Sequence, residues 1–438
     1  MAFRLPSSKN KRYLTGADWI INMIDYANKK VTGVGNQSQI VVELAGSPST
    51  DDLRKKLRVF LKNYPIVNGR ISRDYINLAP YWKFDRKNSR PPKLKVYDVE
   101  AGQMPDELEQ AVNTPFDDDR EHLTFRLITS EGKSSLIMTF DHRLLDARGA
   151  EAFLNMFQLE QEEPGEHYKK VSIRESARLD RWKEQFDAGR DTACTLSAMA
   201  KNAQPVFPLP KAQRKKGFKF KVISFDKTQT EHIVKKAYSE AGYLLVMPYF
   251  LTVAVQALHK AFCGKNIRSG DYIIPVSTDT RTKDQLPEKT FFNYVSFFIF
   301  RISQEKADDF SCVLNDIKEQ MYDQVKQKKL QNFNKASNLL RIVPLAILGP
   351  LMKLLKQWPI GSFCSSYVGE NTYNFSKFMD KDVVNIYHMP RPPVSPGVGI
   401  YFNQFKGKLN ATLSYVDGIL NEDEVNSIAG EVKAKLNS

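Results

Sequence analysis

Near the middle of this 438-residue chain, a proline-rich and basic segment separates two halves of similar length. Within residues 195–218 the composition turns to Asn, Pro, Lys and Arg, and three prolines fall within six positions. Clustered prolines are typical of loops and linkers, because they interrupt helices and sheets. A chain of this length also exceeds one ordinary domain. We therefore predict an N-terminal lobe at 1–194, a linker at 195–218 and a C-terminal lobe at 219–438.

The composition indicates a globular protein with a basic surface. Hydrophobic residues make up 42% of the chain, enough for large cores, and no low-complexity tract is present. Lys and Arg total 64 against 50 Asp and Glu, so the net charge is 64 − 50 = +14. This charge favours anionic partners. The basic residues occur in short clusters along the chain. These clusters lack the interleaved aromatic residues of nucleic-acid-binding modules, so we expect no nucleic acid among the partners.

The cysteines and the N-terminus favour a cytoplasmic location. Cys194, Cys263, Cys312 and Cys364 are scattered and form no C-x-x-C pair, which predicts neither a disulfide framework nor a zinc site. The histidines likewise show no ligand spacing, so no metal is expected. The chain begins without an apolar leader, and no segment reaches the roughly 18 to 20 apolar residues that span a bilayer.

Both halves read as alternating strands and helices of the α/β (α+β) class. A β-rich run at 38–45 precedes a helix that we expect to end near Asn63, and two runs around the turn at 130–133 predict a hairpin. The remaining expectations include short strands of one sheet at 70–76, 81–84 and 94–97, helices at 105–113, 147–158, 228–241, 246–263 and 305–330, strands at 122–129, 135–141, 219–225, 272–276, 294–302, 397–403 and 409–416, and a final helix at 422–436 capped by Asn421.

One short segment carries a candidate for acid–base chemistry. His142 follows the second strand of the predicted hairpin, and Asp146 lies four residues later, before a helical pattern begins at Ala147. An imidazole titrates near neutral pH, so it can take a proton from a hydroxyl, amine or thiol that attacks an acyl carbon. Asp146 could instead brace the loop through an arginine. The alternative is a His and an Asp at a helix start with no catalytic role.

The segment Phe140 to Asp146 resembles the H-x-x-x-D motif of the CoA-dependent acyltransferase superfamily, which includes chloramphenicol acetyltransferase, wax-ester synthases, plant BAHD acyltransferases and nonribosomal peptide condensation domains. Further stretches resemble family segments in the expected order. They are Leu14–Asp18, Tyr64–Ile71, Pro115–Asp117, Ile274–Ser277 followed by Arg281, Phe292–Asn293, and Ser365–Gly369.

The resemblance implies two chloramphenicol-acetyltransferase-like lobes, each a mixed sheet covered by helices, with a channel between them. His142 would then act midway along the channel as the general base for direct attack on a thioester, without a covalent acyl-enzyme. It also implies that Asp146 is chiefly structural. Arg70 and Arg281 are the candidate partners of Asp146.

The resemblance further suggests which side chains lie near the developing oxyanion in the channel. Asn293 matches an asparagine of the family, and Ser365 or Ser366 could supply a hydroxyl there. The alternative is that all three are ordinary polar residues at strand ends. The sequence does not indicate which residues bind the cofactor portion of a donor.

The sequence departs from the family pattern at several positions. Asp141 stands where many members have a first histidine, and Ala147 stands where a glycine usually follows the Asp. Phe292 replaces the glycine before the asparagine, and Tyr367 replaces an asparagine after the serine. No clear D-F-G-W element is present, since Tyr373 to Phe375 matches it only loosely. These differences disfavour the plant subgroup and predict unusual channel walls.

The most apolar stretch of the chain is 342–355, interrupted by Pro344 and Pro350. It could form a lid over a long acyl chain, or a patch that contacts a membrane surface with help from the positive charge. The third interpretation is a core helix buried against the second sheet. The sequence leaves these three interpretations open.

Taken together, these patterns predict an acyltransferase that moves an acyl group from a CoA or carrier-protein thioester to an alcohol. The first alternative is a stand-alone condensation-type enzyme that forms an amide and binds an acidic acyl carrier protein. The second is a non-catalytic member that binds acyl carriers or lipids. We expect a monomer with no permanently bound cofactor, whose co-substrates are an acyl-CoA or phosphopantetheine thioester and a small alcohol or amine.

Overall fold

A computed structural model describes most of the chain. The described residues are 10–75, 78–85, 89–159, 182–199, 205–209, 217–243, 245–268, 270–282, 285, 288–347, 361–371, 373 and 376–438.

Strands and helices alternate along both halves, as expected. The strands are β1 Lys11–Tyr13, β2 Gln37–Leu44, β3 Arg70–Arg73, β4 Pro80–Lys83, β5 Lys93–Asp98, β6 Leu123–Ser130, β7 Lys133–Asp141, β8 Phe218–Ser224, β9 Asp271–Asp279, β10 Val295–Ser303, β11 Cys364–Glu370, β12 Lys377–Phe378, β13 Lys381–Pro390, β14 Val398–Phe405 and β15 Lys408–Val416. The helices are α1 Gly16–Thr32, α2 Thr50–Asn63, α3 Met104–Asn113, α4 Ala147–Leu159, α5 Trp182–Met199, α6 Lys227–Ala241, α7 Val246–Gly264, α8 Phe310–Lys326, α9 Lys329–Leu340 and α10 Glu422–Asn437.

The first six-stranded sheet has the order β12-β13-β2-β7-β6-β5. One face carries alternate residues of its central strands, such as Ile40, Val42 and Met138, and packs against aromatic residues of α2 and α4. The other face packs against α3 through Val41 and Ile137. Because side chains alternate across a strand, β2 and β7 are apolar on both faces and form the centre of this lobe.

The second six-stranded sheet has the order β10-β9-β11-β14-β15-β8. Its main core contains α6, α7, α8 and α10, and α7 is buried along most of its length. β11 lies parallel to both of its neighbours, β9 and β14. Each lobe is therefore a mixed sheet covered by helices, as predicted.

The C-terminal half of the chain contributes two strands, β12 and β13, to the first sheet. β13 comes from the C-terminal half of the chain but pairs with β2 of the first sheet, over Val383 to Pro390. The predicted linker at 195–218 also begins within α5, which continues to Met199. The sheets consequently do not divide at one position of the sequence, although β8 begins the second sheet at Phe218, close to the predicted start of the C-terminal lobe.

The prediction that strands at 70–76, 81–84 and 94–97 share one sheet is wrong. β3 and β4 form a separate three-stranded sheet with β1, and Trp82 lies fully buried beneath it. β5 instead pairs parallel with β6 in the first sheet. Parallel neighbours need a crossover connection, and α3 between β5 and β6 supplies it.

The helix predicted at 305–330 is also interrupted. It consists of a short 3-10 turn, then α8, which ends at Lys326, and α9, which begins at Lys329. The break lies at Lys328, whose φ of 55° is left-handed and cannot continue an α-helix. Other helix ends agree closely with the prediction: α2 ends at Asn63, and the side-chain oxygen of Asn421 caps α10.

Most of the apolar segment 342–355 lies outside the described residues. Within the described part, Val343 and Leu345 pack against the first core, while Ile347 is exposed. Among the described residues no single helix is long and apolar enough to cross a membrane, and only the pair α6 and α7, bent by 100°, meets that test jointly.

Candidate active site

The loop that carries His142 is fixed at the end of β7, one of the two central strands of the first sheet. The His142 backbone N–H donates to the carbonyl of Asn36 at 2.9 Å, and Leu144 and Leu145 bond back to the Asp141 carbonyl. Both leucine side chains are fully buried. A rigid strand and an anchored loop thus present the histidine before α4 begins.

Asn293 sets the orientation and the tautomer of the His142 ring. Its Nδ2 donates to the backbone carbonyl of His142 at 2.9 Å, and its Oδ1 lies 3.1 Å from His142 Nδ1. The first bond fixes which end of the amide is oxygen, so Nδ1 must carry the hydrogen that Oδ1 accepts. Nε2 then keeps its lone pair, which is the state that a general base requires.

Asp146 makes no hydrogen bond to His142 and closes the start of α4 through other described residues. Its Oδ1 accepts from Gly149 N at 2.7 Å, and its Oδ2 accepts from Arg281 Nη2 at 2.6 Å and from Tyr294 N at 3.0 Å. Burial opposes the charge on Arg281, but Asp146 and Asp279 raise the pKa of its guanidinium above the ordinary value. The carboxylate therefore braces the loop and joins it to the second lobe.

Of the two arginines considered as partners of Asp146, the structure brings Arg281 to the carboxylate. Arg70 lies exposed in β3, opposite Lys83 in the three-stranded sheet. Gly149 occupies a tight position at the same junction, where a Cβ would lie 2.3 Å from the carbonyl oxygen of Thr290. A side chain at position 149 would therefore clash. This contact explains why Gly149 is a glycine, although Ala147 stands where the family pattern has its glycine.

Phe292 adopts a backbone conformation that favours glycine. Its φ is 74°, and its N–H donates to the Leu144 carbonyl at 2.6 Å. A left-handed residue with a side chain costs roughly 1–2 kcal/mol, which accounts for the glycine at this place in the family pattern. Here the ring is fully buried, and the Arg12 guanidinium stacks over it at 3.6 Å.

A cavity of about 240 Å³ lies between the two sheets, beside His142. Alternate residues of β9 and β10 form its apolar wall, including Ile273, Pro275 and Phe297. Ser365 and Ser366 of β11 also line it. The Ser365 hydroxyl donates to the Ile400 carbonyl at 3.0 Å, whereas Ser366 accepts from Ser277 at 3.2 Å. Ser366 thus keeps its own hydrogen for another acceptor.

The structure assembles His142, Asn293, Asp146 and Arg281 into one contiguous group. Ser365 and Ser366 lie in the same cavity without a hydrogen bond to that group among the described residues. Both ends of the Asn293 amide are engaged by His142, so Asn293 holds the ring in place rather than facing a substrate oxygen.

Sequence reasoning missed the role of Asp18, which lies in the stretch Leu14–Asp18. The fully buried carboxylate accepts from Arg12 at 2.7 Å and from the backbone N–H of Asn293 at 3.0 Å. It also forms a capping box with Thr15 at the start of α1. Asp18 therefore positions the residue that positions His142. The signal available was an N-cap pattern of Thr and Asp, which predicts a helix start but not a contact 275 residues away.

A second missed cluster surrounds Asp141, the residue before His142. Its carboxylate accepts from Arg143 at 2.6 Å and lies 2.9 Å from His122 Nδ1. His122 Nε2 in turn faces the Gly69 carbonyl at 2.7 Å. Despite complete burial, the charges of Arg143 and His122 hold the pKa of Asp141 far below its usual range. Asp141 is thus a buried structural carboxylate.

No group of three or more potential metal ligands occurs among the described residues.

Solved acyltransferases and condensation domains resemble this structure over nearly the whole chain. The trichothecene 15-O-acetyltransferase of Fusarium sporotrichioides has a TM-score of 0.68 and 12% sequence identity, over 98% of this chain and 95% of that chain. The first condensation domain of the calcium-dependent antibiotic synthetase, in complex with a substrate analogue, has a TM-score of 0.70 and 12% identity, over 98% and 96%.

The condensation domain of the Monacolin K polyketide synthase has a TM-score of 0.60 and 13% identity, over 98% of this chain and 96% of that chain. No protein-family model and no curated protein matches the sequence. The structural likenesses establish the fold, which is the two-lobed, chloramphenicol-acetyltransferase-like fold of acyltransferases and condensation domains. The fold expected from the sequence is therefore confirmed.

Proposed function

We propose that this two-lobed protein is an acyltransferase that moves an acyl group from a CoA or carrier-protein thioester to an alcohol acceptor, with His142 as the general base. One observation carries the proposal. Asn293 fixes the His142 ring so that Nδ1 holds the hydrogen, and the ring lines the cavity between the sheets with its basic nitrogen free of partners among the described residues.

The reaction uses a single imidazole twice. The acceptor hydroxyl loses its proton to His142 Nε2 while its oxygen forms a bond to the thioester carbonyl carbon. The carbonyl becomes a tetrahedral oxyanion, which the free hydrogen of Ser366 is suited to stabilise. The carbon–sulfur bond then breaks, and the imidazolium returns the proton to the leaving thiolate. An ester and a free thiol are released, and the histidine regains its starting state.

The walls of the cavity support this substrate class. Apolar side chains dominate the lining, and Asp146, the one acidic side chain among the described residues that line it, is paired with Arg281. An apolar acyl chain or an apolar alcohol would bury its surface there favourably, whereas a free cation would find no unpaired carboxylate among the described lining residues. That one of the similar structures is an O-acetyltransferase also supports an oxygen acceptor.

A condensation-type reaction that forms an amide is the second candidate. The similarity to condensation domains favours it, and the net charge of +14 suits an acidic carrier protein. The same histidine would then remove a proton from an amine. We further propose a cytoplasmic monomer with no bound metal or permanent cofactor. If substitution of His142 leaves turnover unchanged, a non-catalytic acyl-carrier or lipid-binding role becomes the better interpretation.

The test is free-thiol release from acyl-CoAs of several chain lengths, with pooled alcohols and pooled amines as acceptors. The expected result is acceptor-dependent release that falls by about 10²–10⁴-fold in His142→Ala. His232→Ala is the matched control, because His232 is an exposed histidine on α6 and should leave the rate unchanged.

Each outcome separates the candidates. Release with alcohols alone supports the ester-forming enzyme, and release with amines alone supports the condensation type. If CoA thioesters fail, thioesters of an acidic carrier protein are tried next. Unchanged turnover in a folded His142→Ala protein would reject the mechanism, and a native protein inactive with every donor would leave the binding role.

A further inference from the structure

A second histidine lines the cavity that contains His142. His388 lies near the end of β13, opposite Ile40 of β2, and only 6% of its surface is exposed. It points to the same face of the first sheet as Pro390 and Ser38, which also line the cavity. The sequence showed no ligand spacing around this histidine, and the mechanism above does not use it.

His388 is held by a buried carboxylate from the helix that follows His142. Glu151 of α4 lies with Oε1 at 3.1 Å from His388 Nε2, and its side chain is fully buried. Its other oxygen accepts from Arg148 at 2.9 Å. Arg148 also donates to the backbone carbonyls of Val368 and Glu370, at the end of β11. An unbroken chain of hydrogen bonds therefore runs from β11 through α4 to the ring.

This chain leaves the other ring nitrogen available for a ligand. A carboxylate paired with Arg148 can only accept, so His388 Nε2 carries the hydrogen that Glu151 accepts. In the neutral ring Nδ1 then presents a lone pair, and no described residue is bonded to it. A nitrogen in this state accepts a hydrogen bond from an O–H or N–H group.

The position of His388 places such a group away from the reacting bond. The His142 backbone is bonded to Asn36, immediately before β2, whereas His388 lies opposite Ile40, four residues further along the chain. Four residues of strand span roughly 13 Å, and β13 and β7 flank β2 on opposite sides, about 10 Å apart. A ligand group at His388 therefore belongs to a remote part of the substrate.

We propose that His388 is a specificity-determining residue that accepts a hydrogen bond from an O–H or N–H group on a remote part of the substrate, with Glu151 and Arg148 as positioning residues. The proposal rests on the acyl-transfer function proposed above. Two substrates could supply the group, because both the pantetheine arm of the donor and a polar acceptor carry O–H or N–H groups.

The experiment compares three donors with the same acyl group: an acyl-N-acetylcysteamine, an acyl-pantetheine and an acyl-CoA. Steady-state rates are measured for the native protein, His388→Leu, His388→Asn and Glu151→Gln. Asparagine can place an oxygen near the Nδ1 position, so it is the conservative variant. Losing one hydrogen bond predicts about a tenfold rise in KM for one substrate in His388→Leu, with kcat little changed. The rise should be smaller in His388→Asn, and Glu151→Gln should lie between the two.

The pattern of KM identifies the source of the group. If His388 contacts the pantetheine arm, KM rises for acyl-pantetheine and acyl-CoA but not for the truncated acyl-N-acetylcysteamine. If it contacts the acceptor, the acceptor KM rises equally with all three donors. Equal losses of kcat for all substrates, accompanied by a lower melting temperature in both His388 variants, would overturn the proposal and leave a structural link between α4 and β13.

If the native protein shows no turnover with these donors, calorimetry measures the affinity of the native protein and the same variants for CoA and for pantetheine. Pantetheine binding that weakens about tenfold in His388→Leu would then support the contact although the proposed reaction had failed. A protein that binds neither molecule and releases no thiol would overturn both ideas.

Discussion

His142 and His122 lie 20 positions apart in one lobe, yet their surroundings give them different roles. His122 is buried with both ring nitrogens facing oxygen atoms, one from Asp141 and one from the Gly69 carbonyl. His142 uses one ring nitrogen, which Asn293 holds, and exposes the other to a cavity. A histidine with both nitrogens occupied can only stabilise the fold, whereas a held ring with one free nitrogen can carry a proton.

The ion pair between Arg281 and Asp146, which we call the clamp, lies behind the His142 loop, and its removal should have the largest effect on stability. Arg281→Ala leaves the buried Asp146 carboxylate without its cation, which is expected to lower the free energy of unfolding by about 3–5 kcal/mol. Urea unfolding followed by fluorescence measures the change. Arg70→Ala is the matched control, because Arg70 is exposed and makes no bond to Asp146. Equal stability of the two variants would show that the clamp does not hold the loop.

The cluster around His122 should respond through stability and pH. Asp141→Asn removes the charge that Arg143 and His122 share and is expected to cost about 3 kcal/mol at neutral pH. The pKa of Asp141 is lower in the folded protein than in the unfolded chain, so its ionised form contributes stability above the unfolded value of about 4. That contribution is lost as the pH falls further, towards the depressed folded value.

The measurement is the difference in unfolding free energy between native protein and Asp141→Asn across the pH range. We expect this difference to decrease as the pH falls below about 4. A difference that does not change with pH would mean that packing, not charge, accounts for the loss. If the two histidines differ in role as argued, Asp141→Asn should also reduce activity less than His142→Ala does.

The sequence predicted what depends on local pattern. The hairpin β6–β7, the cap at Asn421 and the position of His142 at a strand end all follow from neighbouring residues. Resemblance to a family supplied the two-lobed fold and the pairing candidates for Asp146. The choice of Arg281 over Arg70 needed the structure, because the partner is 135 residues away.

What the sequence could not predict depends on long-range contacts. β13 joins the first sheet across the lobes, and this strand brings His388 to the carboxylate of Glu151 on α4. Asp18 likewise reaches the backbone of Asn293 through α1. Neither His388 nor Asp18 has a local sequence signature, since a single His in a strand and an Asp in the first turn of a helix are common in any protein.

The smallest predicted effect concerns the orientation of the His142 ring. Asn293→Ala removes both amide contacts but keeps the Asn293 backbone N–H on Asp18, so the loop should remain folded. Without Oδ1 to accept from Nδ1, the ring can rotate or change tautomer, and we expect kcat to fall about tenfold to a hundredfold, close to the contribution of positioned base catalysis at its lower end. The KM values should change little, because Asn293 faces the ring and not the cavity. Asn293→Asp keeps an acceptor for Nδ1 but no donor for the His142 carbonyl, so part of the loss should be restored. If alanine and aspartate reduce kcat equally, the hydrogen bond to the ring does not set its tautomer, and the distinction between a held and a fully bonded histidine loses its basis.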